Sequence, residues 1–194
     1  MEHLKSLREF VTALETIGEI QTIDHEVDWY LEIGAVIRRS YDLRVPAPLF
    51  TNITGYQDTG FRVVGAPGAL SAPEHRLARI TLALGLPADA TGQELMEALV
   101  AAREKPGMPP VEVARADAPC KQNIMLGDDI DLLKFPTPWI HGNDGGRYIQ
   151  TWGLNIARTP DGSWTSWSVN RMMIHNAERI SVRASRWYPP RQWI

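Results

Sequence analysis

Cysteine is almost missing from this chain of 194 residues: there is one, Cys120 in "DAPCKQN", which excludes an internal disulfide. With Pro119 before it and no adjacent histidine, it lacks the surroundings of a nucleophile and reads as a buried structural thiol. An excess of charge is missing too. A net charge of -3 gives no overall basic field of the kind that draws a protein to nucleic acid or to an anionic membrane, so neither partner is expected. The opening "MEHLKSLREF" has no uncharged apolar run to act as a signal peptide, and nothing approaches the roughly 20 apolar residues of a membrane span, so a cytoplasmic location is expected. Histidine is sparse: the five are scattered, and His141 and His175 have no partners at metal-ligand spacing, which suits surface or loop positions.

What is present is apolar content of 44%, enough for a core in one large domain or two small ones. Leu4, Leu7, Val11 and Leu14 fall on one helical face, widened by Phe10 and Ile17, and Gly18 is placed to end that helix. "EIQTIDHEV" alternates as a strand, "WYLEIGAVIRR" returns to helical spacing, and "APLFTNI" and "FRVVGA" read as short buried strands. The pattern is alternating α/β. Pro73 suits a first helical turn, with Leu77, Ile80 and Leu84 following and Gly85 as the stop, and Thr91 with Glu94 forms a capping box for a helix through Val100.

"EKPGMPPVEV" then interrupts regular structure, and a domain boundary near residue 108 is expected. Six of the seven tryptophans lie after residue 138, where alternation replaces helical spacing. "DGGRYIQTWGLNIARTPDGSWTSWSVNRMMIH" reads as a hairpin, with Trp152, Leu154 and Ile156 on one face of its first strand and "PDG" at 160 to 162 as the turn. In its second strand a period of two sets Trp164, Ser166, Ser168, Asn170 and Met172 against Thr165, Trp167, Val169, Arg171 and Met173.

Arg171 is the unusual member, because a permanent charge among apolar neighbours needs an anionic partner, water or a bound anion. Two readings stay open: an edge hairpin with the arginine reaching solvent, or a sheet surface that holds a planar phosphate-bearing ligand and an anionic substrate. "GAPGA" at 65 to 69 matches no full phosphate loop and reads as a turn, and Asp128, Asp129 and Asp131 read as a solvated turn rather than a cation loop.

Residues 118 to 175, with "PC", "GDDIDLLKFP", "DGGRYI" and "PDG" in characteristic order and spacing, resemble the signature region of the UbiD family of decarboxylases. The stretch from "LREFVTALETIGEI" through "VVGAPG" fits as well, and the resemblance covers about residues 1 to 183. It implies an α/β amino-terminal domain, 1–108, followed over 109–194 by the first part of a flavin-binding split β-barrel domain of the flavin-reductase-like kind. It also implies a lyase: reversible, non-oxidative decarboxylation of an aromatic or α,β-unsaturated carboxylic acid with prenylated FMN, a divalent metal, typically manganese, and potassium nearby.

Position by position, Ser166, Trp167, Ser168, Val169, Asn170 and Arg171 match the family stretch that lines the flavin, and Arg171 matches the arginine of the catalytic Glu-Arg-Glu network. The family's metal-binding asparagine is replaced here by Ser166, a weaker oxygen ligand, and Gln192 stands about where a second ligand, a histidine, is usual. The family's catalytic glutamates and third domain would follow residue 194, so the resemblance implies a truncated chain that is inactive alone. It would then work as a homo-oligomer or beside a complementary carboxy-terminal chain. The alternative is a non-catalytic flavin-binding or partner-binding module.

Overall fold

The computed structural model describes residues 4–107, 109 and 111–182. These form two compact units interleaved along the chain: one holds the described residues up to His25 with Val36–Asn52 and Arg62–Asp129, the other Glu26–Ala35, Ile53–Phe61 and the described residues from Ile130 onward.

The first unit opens with helix α1, Leu7–Thr16, started by the Ser6 hydroxyl, which accepts from the Glu9 amide, and ended at Gly18, whose φ of 74° only glycine adopts without strain. Val11 and Leu14 are its buried positions. Strand β1, Ile20–Ile23, and strand β2, Ala47–Phe50, follow, joined by helix α2, Glu32–Leu43, whose first turn up to Ala35 belongs to the second unit, and β1 pairs in parallel with β2 from Ile20 opposite Ala47 to Ile23 opposite Phe50. All of β2 is buried, and it adds an antiparallel partner, β3, Val63–Val64. Helices α3, Ala78–Ala83, and α4, Gly92–Glu104, complete the regular structure of this unit. The expected capping box is present: the Thr91 hydroxyl accepts from the Glu94 amide, and the Glu94 carboxylate accepts from the Thr91 amide at 2.7 Å. Arg79, 1% exposed, is neutralised by buried Glu19 at 2.9 Å and donates to the carbonyls of Ala66 and Val45. That satisfies a buried charge at the turn of "GAPGA", where Ala66 takes a φ of 49°.

Two sequence expectations shift. The helix expected over residues 29–39 begins only at Glu32, because Tyr30 bridges to Trp139 and the Leu31 amide donates to the Trp139 carbonyl. The helix expected from Pro73 divides into a 3₁₀ turn, Pro73–His75, and α3, with the Ser71 amide donating to the Arg76 carbonyl. Cys120 is corrected outright: it is exposed, not buried, because residues 115–134 run as four short 3₁₀ turns with little packed around them.

The second unit carries strands β4, Tyr148–Gln150, β5, Leu154–Arg158, β6, Thr165–Val169, β7, Met172–Ile174, and β8, Ile180–Val182. They make two small antiparallel sheets, β4-β7-β8 and β5-β6. Arg147, just before β4, organises the surrounding loops. It donates to the carbonyls of Thr137 and Phe135 and to the Tyr56 hydroxyl at 2.7 Å, while its guanidinium stacks 4.2 Å from the centre of the Trp29 ring. Gly34 lies so close to Ile140 that a Cβ there would sit 2.1 Å from the Ile140 carbonyl oxygen. Among the described residues no helix is long and apolar enough to cross a membrane.

Candidate functional site

The hairpin forms as its alternation and turn dictate. β5 and β6 pair from Leu154 opposite Val169 to Arg158 opposite Thr165, and Asp161 closes the turn by accepting from the Ser163 amide and hydroxyl. Hydrogen bonds from the Thr159 and Ser163 side chains and the Ser163 amide hold the Asp161 carboxyl below its ordinary pKa. Trp152, expected within the first strand, lies outside β5 and is exposed.

The two faces of this hairpin differ in an unexpected sense. Leu154, Ile156, Trp167 and Val169 share one face and are all more than half exposed, whereas Asn155, Ser166 and Ser168 share the other and are half-buried. Trp167 and Val169 therefore stand on the side opposite Ser166 and Ser168. The Asn170 amide group donates to the Ser168 hydroxyl at 2.7 Å, which fixes the end of the polar face.

The second strand does not continue to residue 175 as its alternation predicts. It breaks at Asn170 and Arg171, and β7 departs to pair with β4 and β8. The Asn170 carbonyl, freed from the ladder, accepts long hydrogen bonds from the side-chain amides of Gln150 and Asn155. Arg171 thus belongs to no continuous face with Trp167 and Val169. It stands at the junction, exposed, and among the described residues it has no hydrogen-bond or ion-pair partner. Beside it opens a cavity of ≈ 440 Å³ lined by Tyr148, Arg171, Met173, Ser181 and Val182.

The cavity wall was not legible in the sequence, because it comes from register: Tyr148 lies opposite Met173, and Met173 opposite Ser181. The glycine pair of "DGGRYI" has its reason here. A Cβ at Gly146 would come within 3.0 Å of the Met173 sulfur, so glycine lets the loop lie against that side chain. Gln192 lies outside the described residues. Among the described residues no three His, Cys, Asp or Glu side chains gather as a metal site. His141 closes its own loop, its amide donating to the Asp144 carboxylate at 3.0 Å.

Residues 11–99 match the family model of the 3-octaprenyl-4-hydroxybenzoate carboxy-lyase N-terminal domain, and residues 111–191 match that of the 3-octaprenyl-4-hydroxybenzoate carboxy-lyase Rift-related domain. Ferulic acid decarboxylase 1 of Saccharomyces cerevisiae is 38% identical over 175 residues, covering 90% of this chain and 35% of the yeast protein. Pyrrole-2-carboxylic acid decarboxylase of Pseudomonas aeruginosa is 43% identical over 168 residues, covering 86% of this chain and 33% of that protein. An evolved dimeric form of the UbiD-class enzyme HmfF from Pelotomaculum thermopropionicum, solved in complex with prFMN, superposes with a TM-score of 0.74 at 30% identity, over 93% of this chain and 38% of that one. The chain spans about a third of the length of the curated relatives it matches.

Proposed function

The chain belongs to the UbiD family of carboxy-lyases, and from that premise we propose that it contributes the flavin-side and carboxylate-side surfaces of a decarboxylase acting on an aromatic or α,β-unsaturated carboxylic acid. The observation that carries the proposal is Arg171: an arginine with no partner among the described residues, at the edge of a cavity large enough for a single substituted ring. A guanidinium offers two parallel N–H donors to a carboxylate, so Arg171 binds and orients the group that will leave as carbon dioxide.

The polar face of β6 suits a prenylated FMN. Ser166 and Ser168 present half-buried hydroxyls beside the Asn170 amide, small donors of the sort a phosphate requires, and the Ser166 hydroxyl has no partner among the described residues. Trp167 and Val169, on the opposite face, would act through the strand's backbone rather than through their side chains. Bound there, the modified flavin would supply an electron sink for the carbanion that loss of carbon dioxide leaves behind. Manganese fits less well. Ser166 is a neutral hydroxyl, a weak ligand for a divalent ion, and among the described residues no three His, Cys, Asp or Glu side chains gather to hold one.

In this reading the sequence divides near residue 108, in the interval 99 to 111 between the two family matches, into an amino-terminal α/β part and the first part of a split β-barrel, a division along the chain that differs from the interleaved compact units, the first of which runs on to Asp129. The exposed face of Leu154, Ile156, Trp167 and Val169 favours a second reading, a module whose main task is to bind a partner chain or a second copy. Supplying prenylated FMN, manganese and a panel of aromatic and acrylic acids to residues 1–194 decides between them. The expected result is weak flavin retention with no carbon dioxide release until the remaining part of a UbiD enzyme is added, and loss of that release in Arg171→Ala. Release that persists in Arg171→Ala would overturn the assignment, and absence of any flavin retention would leave the partner-binding module as the better description.

A further inference from the structure

Resting on the reading of Arg171 as the carboxylate-binding group, we infer that Gln150 and Asn155 are positioning residues for it, acting through the peptide bond that joins Asn170 to Arg171. Among the described residues no hydrogen bond or ion pair holds the guanidinium, so its aim into the ≈ 440 Å³ cavity depends on how firmly its own main chain is held. That main chain lies in a gap between two ladders. Gln150 is opposite Met172 and Leu154 is opposite Val169, which leaves three residues, 151 to 153, facing two, Asn170 and Arg171. With one residue in excess the ladder cannot run through, and the Asn170 carbonyl is left to other donors.

Side chains take the ladder's place. The side-chain amide of Gln150, at the end of β4, donates to the Asn170 carbonyl at 3.4 Å, and that of Asn155, on β5, donates to the same oxygen at 3.5 Å. Each bond is long, but the two donors come from the strands on either side of the gap. A peptide unit is planar, so a carbonyl held at Asn170 also holds the Arg171 amide nitrogen and, through it, the Arg171 Cα. Gly153 makes room for the glutamine: a Cβ there would lie 2.6 Å from the Gln150 Cγ and Cδ. The Asn170 side chain in turn donates to the Ser168 hydroxyl at 2.7 Å, so one residue ties the polar face of β6 to the arginine. A guanidinium aimed in advance loses less side-chain freedom when it takes up an anion.

The test uses the intact chain, with benzoate as the probe and Gln150→Met combined with Asn155→Leu, which removes both donors at similar volume. Without ligand, NMR relaxation should show the main-chain amide of Arg171 more mobile in this variant, while the amides of β5 and β6 and the melting temperature stay as they were. Gly153→Ala, which keeps both amides but displaces Gln150, should act in the same direction. Benzoate affinity should fall about threefold to tenfold in either variant, the cost of ordering one long side chain on binding. Mobility that spreads through β5 and β6 would give the two amides a merely structural role and overturn the inference. An Arg171 amide equally ordered in every variant, or affinity that is lost in Arg171→Ala but indifferent to the two amides, would overturn it while sparing the carboxylate reading. Affinity unchanged in Arg171→Ala, or no benzoate binding at all, would overturn the carboxylate reading itself and the positioning role with it.

Discussion

Removing the Arg147 side chain should unfasten the second unit. The guanidinium donates to two main-chain oxygens, those of Thr137 and Phe135, and to the Tyr56 hydroxyl, and it stacks at 4.2 Å on Trp29. Hydrogen bonds to the two carbonyls contribute about 1 kcal/mol each and the cation–π contact about 1 kcal/mol more, so Arg147→Ala is expected to cost about 3 kcal/mol. Truncation leaves the Thr137 carbonyl, in a residue only 6% exposed, without its donor, and this is where much of the cost lies. Arg147→Lys keeps the charge over Trp29 but loses the planar fork, and should recover about 1 kcal/mol of that loss. Urea unfolding followed by tryptophan fluorescence measures the effect, with a midpoint lowered by about 1 to 2 M for the alanine variant. Because the Arg147 carbonyl accepts from the Ile174 amide at 2.8 Å, hydrogen exchange at β4 and β7 should accelerate in parallel. An Arg147→Ala chain with an unchanged midpoint and unchanged exchange would refute the account.

Gly34→Ala should be more disruptive than its size suggests, since its Cβ would meet the Ile140 carbonyl oxygen at 2.1 Å and backbone must move on one side or the other. A cost of about 3 kcal/mol, read as a lower melting temperature, is expected, against no change for Gly142→Ala, which has open space around it. The Asp161 turn predicts a pH dependence. Hydrogen bonds to its ionised form lower the carboxyl pKa in the folded chain, so their contribution is complete above the ordinary carboxyl range and is lost as pH falls through the lowered folded value. Protection of the β5 and β6 amides, taken relative to the intrinsic exchange rate at each pH, should therefore fall on acidification, and Asp161→Asn should flatten that dependence.

Local chemistry explains what the sequence revealed. The Thr91–Glu94 capping box and the turn at 160 to 162 are built from side chains three residues or fewer from the backbone groups they satisfy, so a short window contains the whole interaction. The break at Arg171 was hidden because alternation alone predicts that a strand continues. What ends it is the competing partner β4, which draws Met172 and Met173 into another sheet. Arg147 escaped for the same reason, its partner Tyr56 being 91 residues away. Cys120 was misjudged because composition says how often cysteine is buried but not whether anything packs against a particular 3₁₀ turn. At the site, the stretch from Ser166 to Arg171 was legible as a motif, while Tyr148 and Ser181 needed the register of two neighbours.

The interleaving of the two units along the chain sets the order in which the protein can assemble as it is made. Trp29 and Tyr56 emerge early, yet the arginine that joins them follows Tyr56 by 91 residues, roughly 5 to 20 seconds of synthesis at ordinary rates. During that interval the segments 26–35 and 53–61 belong to a unit whose other members do not yet exist. Val27 and Ile53, each 1% exposed in the finished fold, can bridge to each other but must wait for the rest of their cover. Folding from the amino terminus is thus obliged to pause with apolar surface in water, the situation in which a nascent chain depends most on holding chaperones.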